Sequence, residues 1–148
     1  MNKLFIAIIA AVVLFAGCSK KNNTNPSSLI VGKWHFVSDT INVYDNGTLS
    51  SSTPGVFKST GYAQFNADGT GSESPVSDTV KFNYTVADSK LLTLNYPTQK
   101  IDGVQVDAET QQFTIKVLDS HNLYLFSDAT VLDGGNSERT TEASHLTR

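Results

Sequence analysis

The chain has 148 residues, the length of one domain, and carries 11 basic against 14 acidic side chains, a formal charge of −3. That balance gives no electrostatic reason to expect nucleic acid as a partner. With 39% hydrophobic and 17% charged residues, the composition is typical of a folded globular chain. The single cysteine excludes an intramolecular disulfide, and the counts together exclude a disulfide scaffold, a cysteine-rich zinc module and a multi-span membrane protein.

The first eighteen residues have the three-part pattern of a secretory signal peptide. A short positive start is followed by an unbroken apolar run over residues 4–15, and then by Ala16, Gly17 and Cys18. This run is shorter than the about 20 apolar residues that span a bilayer. The segment 15–18 resembles the lipobox of bacterial lipoproteins, with Phe15 in the place of the usual Leu and Leu14 one position earlier.

The lipobox resemblance implies that residues 1–17 are a lipoprotein signal peptide and that Cys18 becomes the lipidated first residue of the mature chain. We therefore expect the membrane as a partner, since more than one acyl chain, such as palmitate, gives stable anchoring. An ordinary signal peptide with a chance cysteine, or an uncleaved anchor, is the alternative. Ser19 resembles the residue that sorts lipoproteins to the outer membrane. No acidic cluster follows Cys18, so we expect the domain to face the periplasm, with surface exposure as the alternative.

Residues 19–28 contain no apolar side chain, which predicts a flexible polar tether after Cys18. From Leu29 onward, apolar and polar residues alternate with period two, most clearly over residues 80–86, 92–96 and 113–117. Turn sequences such as residues 66–69, Asn-Ala-Asp-Gly, separate these runs. The pattern predicts about eight strands, near residues 32–43, 57–66, 70–75, 79–87, 90–96, 110–118, 121–129 and 138–147.

The segments between these strands differ in character. Residues 45–55 are polar and contain Gly47 and Pro54, which predicts a long loop, and residues 97–109 predict an irregular connection or a weak strand. No stretch repeats apolar residues with helical spacing over three turns, so we expect no long helix. Short strands joined by hairpin turns predict a sandwich or an up-and-down barrel, and a barrel of about eight strands has room for packed side chains or one small ligand.

The order of these features resembles the lipocalin-like domains of small bacterial lipoproteins of the Bacteroidetes type. Gly32-Lys33-Trp34 stands at the first strand, where lipocalins have Gly-x-Trp, and the 45–55 loop follows where lipocalins have the loop that covers the cup. The resemblance covers residues 29–148 and implies an all-β, eight-stranded antiparallel barrel of the lipocalin-like (calycin) type. The second lipocalin motif, Thr-Asp-Tyr, has no clear copy, and no helical pattern follows the last strand, so a partly open barrel is the alternative.

The resemblance also implies a structural role for Trp34, the only tryptophan. In lipocalins the tryptophan of this motif plugs the closed end of the barrel, and a basic residue of the last strand covers it through a cation–π contact of about 0.5–2 kcal/mol. If the first and last strands pair antiparallel, Arg148 is the partner of Trp34, and Arg139 lies at the far end.

A cavity inside such a barrel would be lined by inward-facing side chains, mostly apolar with a few polar groups. The candidates are Phe36, Tyr62, Phe65, Phe82, Tyr84, Leu92, Leu94, Phe113, Ile115 and Leu125. The hydroxyls of Tyr62 and Tyr84 could supply polar groups. In the alternative, the same side chains pack on each other and fill the barrel.

The sequence contains no pattern typical of a catalytic or metal site. It has no Gly-x-Ser-x-Gly, no phosphate-binding loop and no cysteine besides Cys18. The histidines at positions 35, 121 and 145 are dispersed, so we expect no metal, no cofactor and no catalytic residues. A surface metal site at His35 and His145, which fall on strands that a barrel would pair, is the alternative to solvated histidines.

These observations together predict a membrane-anchored lipoprotein that is not an enzyme. Its lipocalin-like barrel would bind a small apolar or amphipathic ligand, with the 45–55 loop controlling entry. The alternative is a cell-envelope module with a filled barrel that interacts with a protein or a glycan. An enzyme would need titratable groups that converge in one cleft, and the sequence shows none.

Overall fold

A computed structural model of the chain describes residues 26–56, 61–74, 79–101, 103–133 and 135–148, with the backbone alone for residues 26, 27 and 56. The predicted signal peptide, Cys18 and most of the tether lie outside these ranges. The described chain begins with a four-residue helix, α1 (Pro26–Leu29). No helix in these ranges has the length and apolarity needed to cross a bilayer.

Eleven strands follow α1 within the described ranges. They are β1 (Gly32–Asp45), β2 (Thr48–Val56), β3 (Tyr62–Phe65), β4 (Thr70–Ser74), β5 (Val80–Ala87), β6 (Leu91–Tyr96), β7 (Gln99–Ile101), β8 (Val104–Val106), β9 (Glu109–Leu118), β10 (Asn122–Asp133) and β11 (Asn136–Thr147). The eight predicted strands correspond to β1, β3, β4, β5, β6, β9, β10 and β11.

These eight strands close into an antiparallel barrel, because the last strand pairs with the first. The sheet order is β11-β10-β9-β6-β5-β4-β3-β1-β2, and β11 also pairs with β1 over the register from His35↔Thr147 to Asp45↔Glu138. The predicted all-β, eight-stranded barrel is thus confirmed, and the partly open alternative is wrong. We call the end where β1 begins and β11 finishes the closed end, and the opposite end the open end.

The prediction of a long loop over residues 45–55 is wrong. This segment forms β2, which pairs antiparallel with β1 from Ser38↔Val56 to Asp45↔Thr48. Asn46 and Gly47 make the turn between the two strands with φ values of 50° and 83°, the left-handed pair that a two-residue hairpin favours. Residues 48–54 are all exposed, so β2 has no alternation of buried and exposed positions and the period-two analysis missed it.

Two additions lie outside the eight barrel strands. Strands β7 and β8 form a small separate hairpin in the segment predicted as an irregular connection or a weak strand. The second addition is a four-stranded sheet, β2-β1-β11-β10, that continues past the point where β9 leaves β10 at Phe126↔Thr114. We call this part the overhang: residues 41–45, 48–53, 128–133 and 136–140. It exposes Leu49, Val131 and Leu132.

The hydrophobic core fills the closed end. Ile30 and Trp34 are fully buried there, and the indole Nε1 of Trp34 donates a hydrogen bond of 2.7 Å to the carbonyl oxygen of Ile30. The ring of Phe65 lies between those of Phe82 and Tyr84, at centroid distances of 5.4 and 5.0 Å. Offset and edge-to-face aromatic pairs of this kind stabilise a core beyond the area they bury.

Candidate functional site

The side chains that point into the barrel change from apolar to polar along its axis. On β11 the inward positions are Leu146, Ser144 and Glu142, in order from the closed end toward the open end. On β6 they are Leu92, Leu94 and Tyr96 in the same order. The chain therefore closes one end of the barrel with a packed core and builds the other end from polar groups.

A cavity of about 230 Å³ occupies the open-end half of the barrel interior. Its walls combine aromatic and aliphatic side chains with carboxylate, amide and hydroxyl groups. The lining residues are Phe36, Asp39, Ala63, Phe65, Glu73, Leu94, Tyr96, Gln111, Phe113, Leu125, Glu142, Ser144 and Leu146. An apolar pocket with a few convergent polar groups is the usual form of a small-molecule site.

Three carboxyl groups, which we call the mouth carboxylates, reach this cavity from three strands: Asp39 from β1, Glu73 from β4 and Glu142 from β11. The Ser144 hydroxyl lies 3.0 Å from Oδ1 of Asp39 and 3.2 Å from Oε1 of Glu142, within hydrogen-bond distance of both. The Tyr96 hydroxyl donates to Oε1 of Glu73 at 3.1 Å. These hydroxyl contacts hold the carboxyl groups in place without neutralising them.

Burial in the cavity raises the pKa of every mouth carboxylate. Desolvation raises the pKa of Glu142 to about 7, with further repulsion from Asp39 and Glu73. Desolvation also raises the pKa of Glu73 and that of Asp39, although a hydroxyl hydrogen bond partly opposes the shift in each case. Desolvation and the nearby glutamates raise the pKa of the Tyr96 hydroxyl, so it stays protonated and remains a donor.

No basic side chain in the described ranges forms an ion pair with a mouth carboxylate. The ion pair that these ranges do contain lies on the overhang, where Arg139 is 2.6 Å from Asp128. Nor does any group of three His, Cys, Asp or Glu side chains among the described residues have the geometry to hold a metal ion. The cavity is therefore lined by acidic groups that have no basic partner among the described residues.

The cavity takes five of the predicted ligand-binding residues into its wall: Phe36, Phe65, Leu94, Phe113 and Leu125. Four others, Phe82, Tyr84, Leu92 and Ile115, are buried in the core but do not line the cavity. The Tyr84 hydroxyl donates to the carbonyl oxygen of Asn66 at 2.7 Å and is thus used structurally.

The inward orientation predicted for Tyr62 is wrong. Its neighbour Ala63 is buried in the core, so the alternation of β3 turns Tyr62 to the outer wall. There the Nζ atom of Lys33 lies 3.8 Å from the centre of the Tyr62 ring. Tyr62 consequently contributes no hydroxyl to the cavity.

At the closed end, the guanidinium carbon of Arg148 lies 4.2 Å from the centre of the Trp34 ring. The same guanidinium donates hydrogen bonds to the carbonyl oxygens of Leu29 and Val31, the second at 2.7 Å. Gly32 has a φ of 133° and lies against this guanidinium, so an added Cβ would lie 3.4 Å from Nη2. Arg139 lies far from Trp34, on the overhang, over the ring of Tyr44.

Sequence reasoning missed the polar half of the cavity. The clue for Tyr96, Gln111 and Glu142 was present, because each continues the inward alternation of its strand beyond the last apolar residue. Asp39 had no such clue, since a bulge between Phe36 and Ser38 shifts the alternation of β1.

No known protein-family pattern matches the chain, and no curated protein matches it. Among solved structures, the chain is similar to insecticyanin, a lipocalin from the tobacco hornworm Manduca sexta, with a TM-score of 0.54 and 11% sequence identity. The match covers 81% of this chain and 61% of the insecticyanin chain, so this chain spans less than two thirds of that protein's length. At this identity the similarity concerns the fold alone. On that ground, the chain has the closed eight-stranded antiparallel barrel of the lipocalin fold.

Proposed function

We propose that this protein is a membrane-anchored, non-catalytic binding protein that holds a small amphipathic ligand in the open-end cavity of its barrel. The observation that carries the proposal is the cavity of about 230 Å³, with apolar side chains toward the closed end and polar groups toward the open end. Such a cavity binds mainly by removing apolar ligand surface from water, at about 25 cal/mol per Å² buried. The mouth carboxylates do converge in one cavity, the arrangement that an enzyme would need, and we assign them a binding role. The lipocalin fold supports this reading, since lipocalins are typically non-enzymatic ligand-binding proteins.

The cavity favours ligand binding over the alternative of a filled barrel that serves as a protein- or glycan-interaction module. A filled barrel would pack Phe36, Leu94 and Phe113 against side chains of the opposite wall, whereas these residues face the cavity. Residues 45–55, which were expected to form a gating loop, instead belong to the paired hairpin of β1 and β2.

We further propose that Cys18 carries the lipid anchor and that the barrel faces the periplasm from the outer membrane, since no acidic cluster follows Cys18. Residues 26–29 form α1 directly before β1, and Arg148 binds the carbonyl oxygens of Leu29 and Val31. The tether thus joins the barrel at its closed end.

Ligand carriage is tested with the full chain purified from its bacterial envelope in a mild detergent, followed by native mass spectrometry and extraction of bound small molecules. We expect a co-purifying small molecule that is lost in Ala63→Leu, which fills the cavity, and retained in the exposed control Ala87→Leu. If the wild type carries no bound molecule and neither it nor Ala87→Leu takes up an apolar probe, the cavity is not a carrier site.

The anchor is tested by growing the expressing bacteria with an alkyne analogue of palmitate. We expect the wild-type chain to be labelled and Cys18→Ala to be unlabelled, with the variant keeping the mass of residues 1–17. Ser19→Ala serves as the control and should be labelled like the wild type. Equal labelling of wild type and Cys18→Ala would refute lipidation at this position.

A further inference from the structure

We propose that the cavity selects organic cations: an apolar ligand body lies against the aromatic wall and an ammonium or guanidinium group lies among the mouth carboxylates. This inference rests on the proposed function and names the ligand class of the same site. It departs from the simplest expectation for an apolar cup, which would accept neutral or anionic lipids equally well.

The first argument is the position of the carboxyl groups. Asp39, Glu73 and Glu142 come from three different strands and face one cavity, with Phe65 and Phe113 in the wall below them. A ligand that enters far enough to bury an apolar body against these rings therefore leaves its outer end at the carboxylates. An amphipathic molecule with a charged head fits this division.

The second argument is the unused hydrogen-bonding capacity. An ionised carboxylate has about four acceptor positions, and a hydroxyl has one hydrogen to donate. Asp39 and Glu142 share the single hydroxyl of Ser144, and Glu73 receives the hydroxyl of Tyr96. Asp39 accepts one further hydrogen bond, from the backbone amide of Thr40, so each carboxylate still has acceptor positions left over. A ligand ammonium, which brings three donors and a positive charge, supplies what these groups lack.

The third argument is electrostatic. Asp39 and Glu73 both repel the charge of Glu142. A cation placed among like charges in a partly desolvated site relieves this repulsion, whereas an anionic ligand adds to it. A bound metal ion is not the matching occupant, since the described carboxylates do not have the geometry to hold one.

The test uses three probes with the same phenylpropyl body: 3-phenylpropylamine, 3-phenylpropan-1-ol and 3-phenylpropionate. Binding is measured by equilibrium dialysis at pH 8 against the full chain in phosphatidylcholine nanodiscs, and discs without protein give the partition blank. The amine is a cation at this pH, because alkyl amines titrate near the lysine range, about 10.4. We expect the amine to bind about tenfold more tightly than the alcohol, and the propionate to bind most weakly.

The variants Glu142→Gln and Glu73→Gln keep the shape of the side chain and remove its charge. We expect the affinity for the amine to fall several-fold in at least one of them, with the affinity for the alcohol unchanged. Glu138→Gln is the matched control, because Glu138 lies on the same strand but is exposed and outside the cavity. Its binding of all three probes should equal that of the wild type.

Two results would overturn the inference while leaving the cavity a ligand site. One is an alcohol that binds as tightly as the amine, and the other is an amine preference that survives in both glutamine variants. If none of the three probes binds the wild type above the partition blank, the inference and the proposed carrier function both fail. The two failures are distinguished by whether the neutral probe binds.

Discussion

At the scale of single residues, the closed end depends on one side chain that makes several contacts at once. The Arg148 guanidinium lies over the Trp34 ring and donates hydrogen bonds to two main-chain carbonyls that precede β1. Because Arg148 follows the last strand and Trp34 lies in the first, these contacts also hold the β1–β11 junction together.

We therefore expect Arg148→Gln to lower the free energy of unfolding by about 1–3 kcal/mol, through loss of the cation–π contact and the charged hydrogen bonds. Arg139→Gln is the matched control: it removes an exposed ion pair to Asp128 and a contact over Tyr44, and it should lower the free energy of unfolding clearly less than Arg148→Gln does. Urea denaturation of both variants measures the difference. Equal losses would contradict the role given to Arg148.

A second single-residue prediction concerns Gly71. A Cβ added there would lie 2.2 Å from a ring carbon of Phe82 and 2.7 Å from the carbonyl oxygen of Gln64. We expect Gly71→Ala to destabilise the chain by about 3 kcal/mol, because both neighbours belong to the packed wall. Gly47→Ala, which meets nothing within 4 Å but has a φ of 83°, should cost about 1 kcal/mol in the same denaturation assay.

At the scale of elements, the barrel strands and the overhang differ in what stabilises them. Barrel strands such as β6 bury alternate side chains in the core, whereas residues 48–54 of β2 are exposed throughout. The overhang thus consists largely of backbone hydrogen bonds with few buried apolar contacts, the composition typical of segments that open at low free energy.

Hydrogen exchange should resolve this difference. We expect backbone amides of the overhang to exchange by local opening, at rates at least about tenfold faster than amides of barrel residues such as Leu92 and Phe113. Mass spectrometry of peptides from the exchanged protein measures both groups in one experiment. Uniform protection across the two regions would show that the overhang unfolds only with the barrel.

The elements also show what could be predicted from the sequence. Period-two alternation located the eight barrel strands, because each has one face in the core. It could not locate β2, which has no buried face, although the Asn46-Gly47 pair was a usable turn indication. The same alternation placed Leu94 and Phe113 on the inward face of their strands and so predicted that they line the cavity. Asp39 required knowledge of a bulge, and the convergence of Glu73 with Glu142 required the closed fold.

At the scale of the whole molecule, the mouth carboxylates make stability depend on pH. Glutamate titrates near 4.5 in the unfolded chain, and the pKa of Glu142 in the fold is raised to about 7. The folded chain therefore binds the proton of the Glu142 carboxyl group more tightly than the unfolded chain does. The stabilisation of the fold by this proton is complete below pH 4.5 and is lost as the pH rises through about 7. Asp39 on β1 and Glu73 on β4 act in the same direction, while Tyr96 on β6 stays protonated.

For Glu142 alone, we expect the unliganded chain to be about 2–3 kcal/mol more stable at pH 5 than at pH 8. Urea denaturation at the two pH values measures the difference, and Glu142→Gln should remove most of it. Hydrogen bonds lower the pKa of the exposed residues Asp68, Asp119 and Asp128, so these stay ionised throughout the interval and do not contribute. A wild-type chain that is more stable at pH 8 would contradict this account.

The pairing of the first strand with the last has a consequence for the life of the chain before it is folded. Strand β1 is synthesised well before β11, so the backbone groups that it presents to β11 lack this partner until β11 has been made. Contacts between such distant parts of a chain form slowly, so the barrel closes only after β11 has been made. A protein exported as proposed would thus cross the translocation channel as an unfolded chain, and its barrel and cavity would form only after translocation.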